Sequence, residues 1–218
     1  SLPAVLAGVM VSPINWVCRA MLANQPNGYS ELGIFTAALI FQHFLLFASG
    51  MLNAPLLSIL SNMGSIKNNR LETINILSSW CIGLLPALFL LSFPEIIGIL
   101  FGGQYQSHSD KITFSIVIFY TSIMTYRGGL LRVLQSKSLL WWGFLNNLLW
   151  VVVLLPSSYF MVKWGSVGLA ASFALAYIII SIVFVPVYIK KCDVRKSVLI
   201  SKESVIIWVV VIALVAST

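Results

Sequence analysis

Six stretches of this chain are each long and apolar enough to cross a bilayer, and only short polar connections separate them. A helix needs about 20 consecutive apolar residues to span the hydrocarbon core. Hydrophobic residues make up 59% of the 218 positions and charged residues only 9%, which is far from the composition of soluble domains. The sequence therefore predicts an all-α, polytopic transmembrane helix bundle.

The predicted spans cover residues 2–23, 32–60, 74–101, 112–134, 139–162 and 167–189. Residues 1–190 would form the bundle, and residues 191–218 a basic connection followed by the start of a seventh span. Residues 205–216 are too few to cross a bilayer on their own. Because the chain begins with Ser1 and stops inside this stretch, we expect a fragment cut at both ends.

Basic residues fall on alternate connections. Lys67 and Arg70 follow the second span, Arg132 and Lys137 flank the next such connection, and a basic run begins at Lys190. The other connections carry at most one Lys or Arg each. Short loops rich in Lys and Arg stay in the cytoplasm. The short outer loops leave no room for an extramembrane domain, so the function is expected within the membrane.

Two local patterns predict where helices start. Ser30 can cap the second span, with Glu31 at the positive end of that helix. Within the third span, Ser92 and Glu95 flank Pro94 at the spacing of a capping box, which predicts a break in the helix near Ser92.

Two arginines, Arg19 and Arg127, lie inside the predicted spans. A charge at the centre of a transmembrane helix costs about 2.5–3.5 kcal/mol, so such residues usually face the bundle interior or water. The alternative for Arg127 is that its long side chain snorkels to the nearby inner interface. At helical spacing, Arg19 and Arg127 each share a helix face with other polar residues and so form two polar stripes. The second span carries a third stripe. The stripes are Ser12, Asn15 and Arg19; Gln42, Ser49 and Asn53; and Thr113, Tyr120 and Arg127.

Catalytic signatures are absent from the sequence. There is no phosphate-binding glycine loop, nucleophile elbow or zinc motif, and all six acidic residues lie at or near span ends. His43 and His108 have no companions at metal-ligand spacing. The net charge of +7 is spread over several loops, unlike a nucleic-acid-binding face. These features predict a protein that is not an enzyme and needs no metal or other cofactor.

Four segments resemble polysaccharide and O-antigen unit flippases of the multidrug/oligosaccharidyl-lipid/polysaccharide exporter superfamily. They are residues 2–3 (LP), 31–38 (ELGIFTAA), 95–102 (EIIGILFG) with Tyr105, and 165–171 (GSVGLAA). Their order and spacing are similar to the second half of such a transporter.

The resemblance implies that the chain is the second bundle of a two-bundle transporter, whose missing N-terminal half would complete a central cavity. The implied substrate is an undecaprenyl-pyrophosphate-linked oligosaccharide repeat unit, moved across the bacterial cytoplasmic (inner) membrane for O-antigen, lipopolysaccharide or other surface polysaccharide biosynthesis. Implied partners are membrane lipids, a polysaccharide polymerase and assembly proteins. A coupling ion is not identified.

The resemblance also implies that basic cavity residues meet the pyrophosphate. Arg19 and Arg127 are the candidates on charge grounds, since a guanidinium is a planar partner for phosphate. The remaining candidates would bind or stack on sugars, although Asn146 is also typical of a hydrogen bond between helices. These candidates are Asn15, Gln42, Asn53, Tyr120, Asn146 and Trp150.

Three other functions remain open. A drug or cation antiporter of the same superfamily would need an intramembrane carboxylate, and this sequence has none near a span centre. A non-transporting scaffold of a polysaccharide assembly complex would use the polar stripes as contacts between helices. A membrane enzyme such as a sugar polymerase is disfavoured by the short outer loops and the lack of a placed acid or base.

Overall fold

The computed structural model describes residues 2–62, 69–93, 95–102, 107–192 and 202–216, and these ranges contain helices and no β-strand. The all-α prediction is confirmed. The helices are α1 (Leu2–Ala23), α2 (Gly28–Gly50), α3 (Asn53–Asn62), α4 (Asn69–Ser92), α5 (Ile96–Phe101), α6 (His108–Ser136), α7 (Leu140–Met161), α8 (Gly165–Lys190) and α9 (Lys202–Ala216), with a 3₁₀ turn at Val162–Trp164.

Within the described ranges, four helical stretches are long and apolar enough to cross a membrane: Gly28–Ser61, Thr73–Ser92, His108–Ser136 and Leu140–Lys190. The last stretch doubles back on itself, because the Ser158 and Ser172 hydroxyls lie 3.0 Å apart and α7 packs along α8. Large apolar side chains are exposed on the flanks of the bundle, and Trp16 is 72% exposed. Such extensive apolar surface is typical of a protein that faces lipid.

Contacts between side chains show the direction of each helix. α1, α4 and α7 run one way, and α2, α6 and α8 run the other, as expected for spans that alternate in direction. The contacts are Thr113 with Ser166 and Tyr120 with Phe173 for α6 and α8; Phe41 with Phe114 and Gln42 with Met124 for α2 and α6; Asn75 with Gly129 and Glu95 with Lys111 for α4 and α6; and Trp150 with Tyr177 and Ser158 with Ser172 for α7 and α8. For α1 and α7, Cys18 lies beside Ser158, and Gly8 and Gly143 line one cavity.

Basic connections meet at one end of the bundle. The Lys137 ammonium, just after α6, donates a hydrogen bond to the carbonyl oxygen of Cys192, just after α8. We call this the basic end, marked by Lys137 and Lys190, and the other the opposite end. Lys67, also predicted to lie on this side, is outside the described residues.

The second predicted span is not one continuous helix. α2 ends at Gly50, and α3 begins at Asn53 after a two-residue turn. The Gly28–Ser61 stretch of 34 residues would extend about 50 Å, well beyond the roughly 30 Å hydrocarbon core. α3 therefore lies at the basic end, beyond the length of helix that a single span requires.

The predicted helix starts are partly wrong. α2 begins at Gly28, after Asn27 in a left-handed conformation with φ of 58°, so Ser30 lies inside the helix. The predicted break near Ser92 is confirmed, because α4 ends there. The capping box is not formed, since the Ser92 hydroxyl donates back to the Leu88 carbonyl at 2.9 Å and Glu95 makes no capping hydrogen bond.

α6 is the central helix and packs against α2, α4 and α8. It comes very close to α4 at Gly129, where a Cβ atom would lie 2.7 Å from the Cα of Ile76. Only a glycine fits so close to a neighbouring backbone. α1 packs along α7 on the other side of the bundle, and this arrangement leaves a gap between α1 and α6.

Candidate functional site

A cleft between α1, α6 and α7 occupies the part of the bundle toward the basic end. It consists of two adjoining cavities of about 200 Å³ and about 400 Å³, and Val11, Leu131 and Asn147 line both. α6 and α7 follow each other in sequence but pack only loosely together, because α6 packs on α4 and α8 while α7 packs on α1 and α8. The divergence of these two helices opens the cleft.

The smaller cavity is the part of the cleft that a charged side chain lines, and we call it the polar part. It is lined by a guanidinium, two amides and two aromatic side chains that can form hydrogen bonds, together with three apolar residues. The lining residues are Val11, Met124, Arg127, Leu131, Asn146, Asn147, Trp150 and Tyr177. Three of the predicted site residues, Arg127, Asn146 and Trp150, therefore come together here.

Arg127 is buried, with only 4% of its surface exposed. Its Nη2 donates a hydrogen bond to Asn146 Oδ1 at 2.6 Å, and its guanidinium carbon lies 5.5 Å from the centroid of the Tyr177 ring. No Asp or Glu forms an ion pair with it in the described part of the chain. An amide oxygen and an aromatic face stabilise this cation, but no carboxylate in the described ranges balances its charge.

The Arg127 side chain does not snorkel. Arg127 lies about 13 Å along α6 from Ser136, at a rise of about 1.5 Å per residue. Its guanidinium turns into the bundle toward Asn146 instead of extending to the end of the helix. A charge held at this depth costs several kcal/mol unless water or an anion meets it. The cleft provides the space for either.

Two polar groups at the cavity wall, Arg127 Nε and Trp150 Nε1, are buried without a hydrogen-bond partner among the described residues. The Tyr188 hydroxyl lies beside the guanidinium and is close enough to pair with it. Buried polar groups are nearly always paired, so the two that are not indicate a place for a polar ligand or ordered water.

An aromatic wall stands behind the polar part of the cleft. Tyr120 stacks against Tyr177 and against Phe173, with 5.8 Å between ring centroids in both pairs, and Trp150 lies 5.8 Å from Tyr177. The Tyr120 hydroxyl donates to Gln42 Oε1 at 3.4 Å. Tyr120 and Gln42, both predicted to bind substrate, are therefore buried behind the lining.

Three predicted residues lie away from the cleft. Arg19 is about 12 Å further along α1 than Val11, toward the opposite end. It is half-buried, interacts electrostatically with Tyr120, and has no hydrogen bond or ion pair among the described residues. Asn15 is also half-buried and does not line the cleft.

Asn53 lies at the basic end, where its Oδ1 accepts a hydrogen bond from Arg132 Nη1. Arg132 also donates to Asn75 Oδ1 at 2.8 Å and to the Asn75 carbonyl at 2.7 Å. Gln42 and Asn53 share a stripe only if one straight helix carries both, and the turn between α2 and α3 separates them. Asn53 thus belongs to a contact between helices.

The sequence analysis missed Tyr177, which forms the aromatic face under Arg127. A signal for it exists in α8, because its large aromatic residues recur at intervals of four, seven and four and so share one face. They are Phe173, Tyr177, Phe184 and Tyr188. In an apolar span such a stripe is typical of core packing, and only the position of Arg127 on a neighbouring helix makes it part of a site.

Among the described residues, no three His, Cys, Asp or Glu side chains are grouped so that they could hold a metal ion. Comparison with known proteins gives no further indication, since no protein family, no curated protein and no solved structure matches this chain.

Proposed function

We propose that this chain is one bundle of a flippase that moves an undecaprenyl-pyrophosphate-linked oligosaccharide across the bacterial cytoplasmic membrane. The observation that carries the proposal is the burial of Arg127 at the wall of a cleft, with no carboxylate partner among the residues that the structure describes. A guanidinium is well suited to phosphate oxygens, which it binds through parallel, charge-assisted hydrogen bonds. An anionic headgroup would supply the missing counter-charge.

The groups around Arg127 support a sugar next to the phosphate. Trp150 and Tyr177 present aromatic surface at the wall of the cleft, and Asn147 adds an amide. Amides and aromatic faces are common in pockets that orient a polar ligand within an otherwise apolar lining. The resemblance to O-antigen and polysaccharide flippases supports an oligosaccharide repeat unit as the substrate.

Transport would proceed by alternating access. In this proposal the chain contributes six spans and part of a seventh, and a second bundle rocks against it around a site within the membrane. The basic end would face the cytoplasm, as short basic loops do. The cleft lies toward that end, so the headgroup would bind from the cytoplasmic side and be released outward.

Arg127 also bears on the alternative functions. A cation substrate would be repelled by a buried positive charge that no carboxylate of the described helices balances, which disfavours a drug or cation antiporter. A scaffold without transport would not need a cleft beside that charge.

The test is surface polysaccharide production in cells that depend on this protein. Arg127→Gln should reduce the polymer at least tenfold, since truncating a buried charged contact typically costs about 2–5 kcal/mol. Arg127→Lys should retain part of the activity, because it keeps the charge but loses the planar donors. Lys163→Gln is the matched control, since Lys163 is exposed at the opposite end and lies over the Trp164 ring.

Normal polysaccharide in Arg127→Gln cells, at normal protein levels, would remove Arg127 from transport and refute the proposal. Increased sensitivity to cationic dyes with unchanged polysaccharide would favour the antiporter. Loss of assembly partners from pulldowns, with intact translocation, would favour the scaffold.

A further inference from the structure

The wall of the polar part carries hydrogen-bond donors that lack an acceptor. Arg127 Nε and Trp150 Nε1 are buried there, and neither has a hydrogen-bond partner among the described residues. Trp150 as a whole is only 3% exposed. The N–H groups of a guanidinium and of an indole can donate a hydrogen bond but cannot accept one. Both groups therefore require an acceptor from a ligand or from water.

The side-chain acceptors of the same wall are already engaged. Asn146 Oδ1 accepts from Arg127 Nη2 at 2.6 Å, and Asn147 Oδ1 accepts from Asn146 Nδ2 at 3.3 Å. Met124 Sδ, a weaker acceptor, accepts from Gln42 Nε2 at 3.2 Å. Because arginine can only donate, it fixes the Asn146 amide with its oxygen toward Arg127 and its nitrogen toward Asn147.

A ligand that suits this wall accepts hydrogen bonds and does not need to donate any. Phosphate oxygens meet this requirement, and their negative charge also matches the charge of Arg127. A sugar hydroxyl must place a hydrogen of its own, and an ammonium group offers only donors. The Tyr177 hydroxyl can donate or accept, so it sets no preference. Charge and hydrogen-bond direction thus favour the same chemical group on separate grounds.

We propose that Trp150 is a second phosphate-binding residue, whose indole N–H donates to a phosphate oxygen of the headgroup while Arg127 binds the same headgroup. This inference rests on the proposed function. It gives Trp150 a part in recognising the phosphate, in addition to stacking on a sugar. Because both donor atoms are buried, binding requires a small shift of the two side chains at the cavity wall.

The experiment measures binding of inorganic pyrophosphate to the protein in phosphatidylcholine nanodiscs. Trp150→Phe keeps an aromatic ring but removes the N–H, so it should weaken pyrophosphate binding about tenfold, as expected for a lost hydrogen bond to a charged group. Trp150→His, at about pH 8 where an imidazole is neutral, supplies a ring N–H again and should recover part of the affinity. Arg127→Gln should weaken binding more than Trp150→Phe does.

Trp80→Phe is the matched control. Trp80 Nε1 is likewise buried without a hydrogen-bond partner in the described part of the chain, but Trp80 lies on α4 and does not line the cleft. Loss of this N–H should leave pyrophosphate binding unchanged. Melting temperatures of the variants show whether each is folded.

If Trp150→Phe binds pyrophosphate normally while Arg127→Gln does not, Trp150 is not a phosphate ligand and the proposed function stands. If Trp150→Phe and Trp150→His weaken binding equally, or if Trp80→Phe weakens it as much, the loss comes from packing and the proposal for Trp150 is overturned. If the unchanged protein does not bind pyrophosphate, or if Arg127→Gln has no effect, the proposed function fails and the role of Trp150 fails with it.

Discussion

At the scale of single residues, two buried arginines on α6 have opposite environments. Arg132 donates hydrogen bonds to side-chain and backbone oxygens of Asn53 and Asn75, and so joins the start of α3 to α4 and α6. Arg127 contacts one amide, that of Asn146, one aromatic face and the Tyr188 hydroxyl. We infer that Arg132 contributes to stability, and that Arg127, at the wall of the cleft, is the better candidate for binding a ligand.

This contrast predicts different effects on thermal stability. Arg127→Met should lower the melting temperature of the purified protein by less than Arg132→Met does, because it leaves a single amide oxygen, that of Asn146 at the wall of the cleft, without its partner. Arg132→Met should lower the melting temperature, because it leaves buried amide and carbonyl groups unpaired. The measurement is thermal unfolding in detergent. A large loss of stability in Arg127→Met would show that the guanidinium holds the bundle together.

The sequence predicted part of the candidate site. A buried charge such as Arg127 is visible because it interrupts an apolar span, and periodicity predicts the face of α6 that carries it. Periodicity does not identify which helix meets that face. Asn146 and Tyr177 reach Arg127 only because α7 and α8 fold back beside α6, and Asn53 is lost from the site through one turn in the backbone.

At the scale of helices, Glu31 connects two distant segments. It lies in the first turn of α2, as predicted, but its Oε2 accepts a hydrogen bond at 2.7 Å from the backbone N–H of Ser166, at the start of α8. The Ser166 hydroxyl also lies 3.0 Å from Thr113 Oγ1 on α6. Gly165 has φ of +68°, and a Cβ there would lie 2.6 Å from Glu31 Oε2. These contacts join α2, α6 and α8 at the opposite end.

Glu31→Ala should therefore lower the free energy of unfolding by about 1–2 kcal/mol, since a carboxylate at a helix N-terminus makes a charge-assisted hydrogen bond there. Glu95→Ala is the matched control. Glu95 pairs with Lys111 at 3.2 Å but is 65% exposed, and such pairs contribute little. The measurement is denaturant unfolding in micelles. Equal effects of the two substitutions would contradict the role of Glu31 as a cap of α8.

The α7–α8 hairpin has a second glycine besides Gly165 at a closely packed position. A Cβ at Gly168 would lie 1.9 Å from the carbonyl oxygen of Met161, so Gly168→Ala should destabilise the protein clearly. Gly128→Ala, where the added Cβ meets open space, should be neutral or slightly stabilising because alanine favours helix. Melting temperatures of the two variants provide the comparison, and an unaffected Gly168→Ala would show that the hairpin is not packed this closely.

The helices themselves were largely predictable. Long apolar stretches predicted α1, α6, α7 and α8 to within a few residues, because apolar length is a direct requirement of crossing a bilayer. Starts and breaks were less predictable. The Ser92 hydroxyl donates a hydrogen bond within its own helix and does not cap the next one. Either hydrogen bond satisfies the hydroxyl, so the sequence does not distinguish between them.

At the scale of the whole molecule, alternating helix direction and the clustering of basic connections predict one orientation. The basic end should face the cytoplasm and the opposite end the outside. With the native cysteines removed, a cysteine at Ser107 or Lys163 should react with a membrane-impermeant maleimide added to intact cells. A cysteine at Lys137 should react only after the cells are opened. Labelling of Lys137→Cys from outside would show that the basic end faces outward, and the proposed entry of substrate from the cytoplasm would then be wrong.

A structure of the protein with an undecaprenyl-pyrophosphate-linked sugar would test most directly whether Arg127 receives an anionic lipid headgroup. We predict pyrophosphate density within hydrogen-bond distance of the Arg127 guanidinium, next to Trp150 and Tyr177. Bound lipid at any other place, with no phosphate at Arg127, would contradict this proposal.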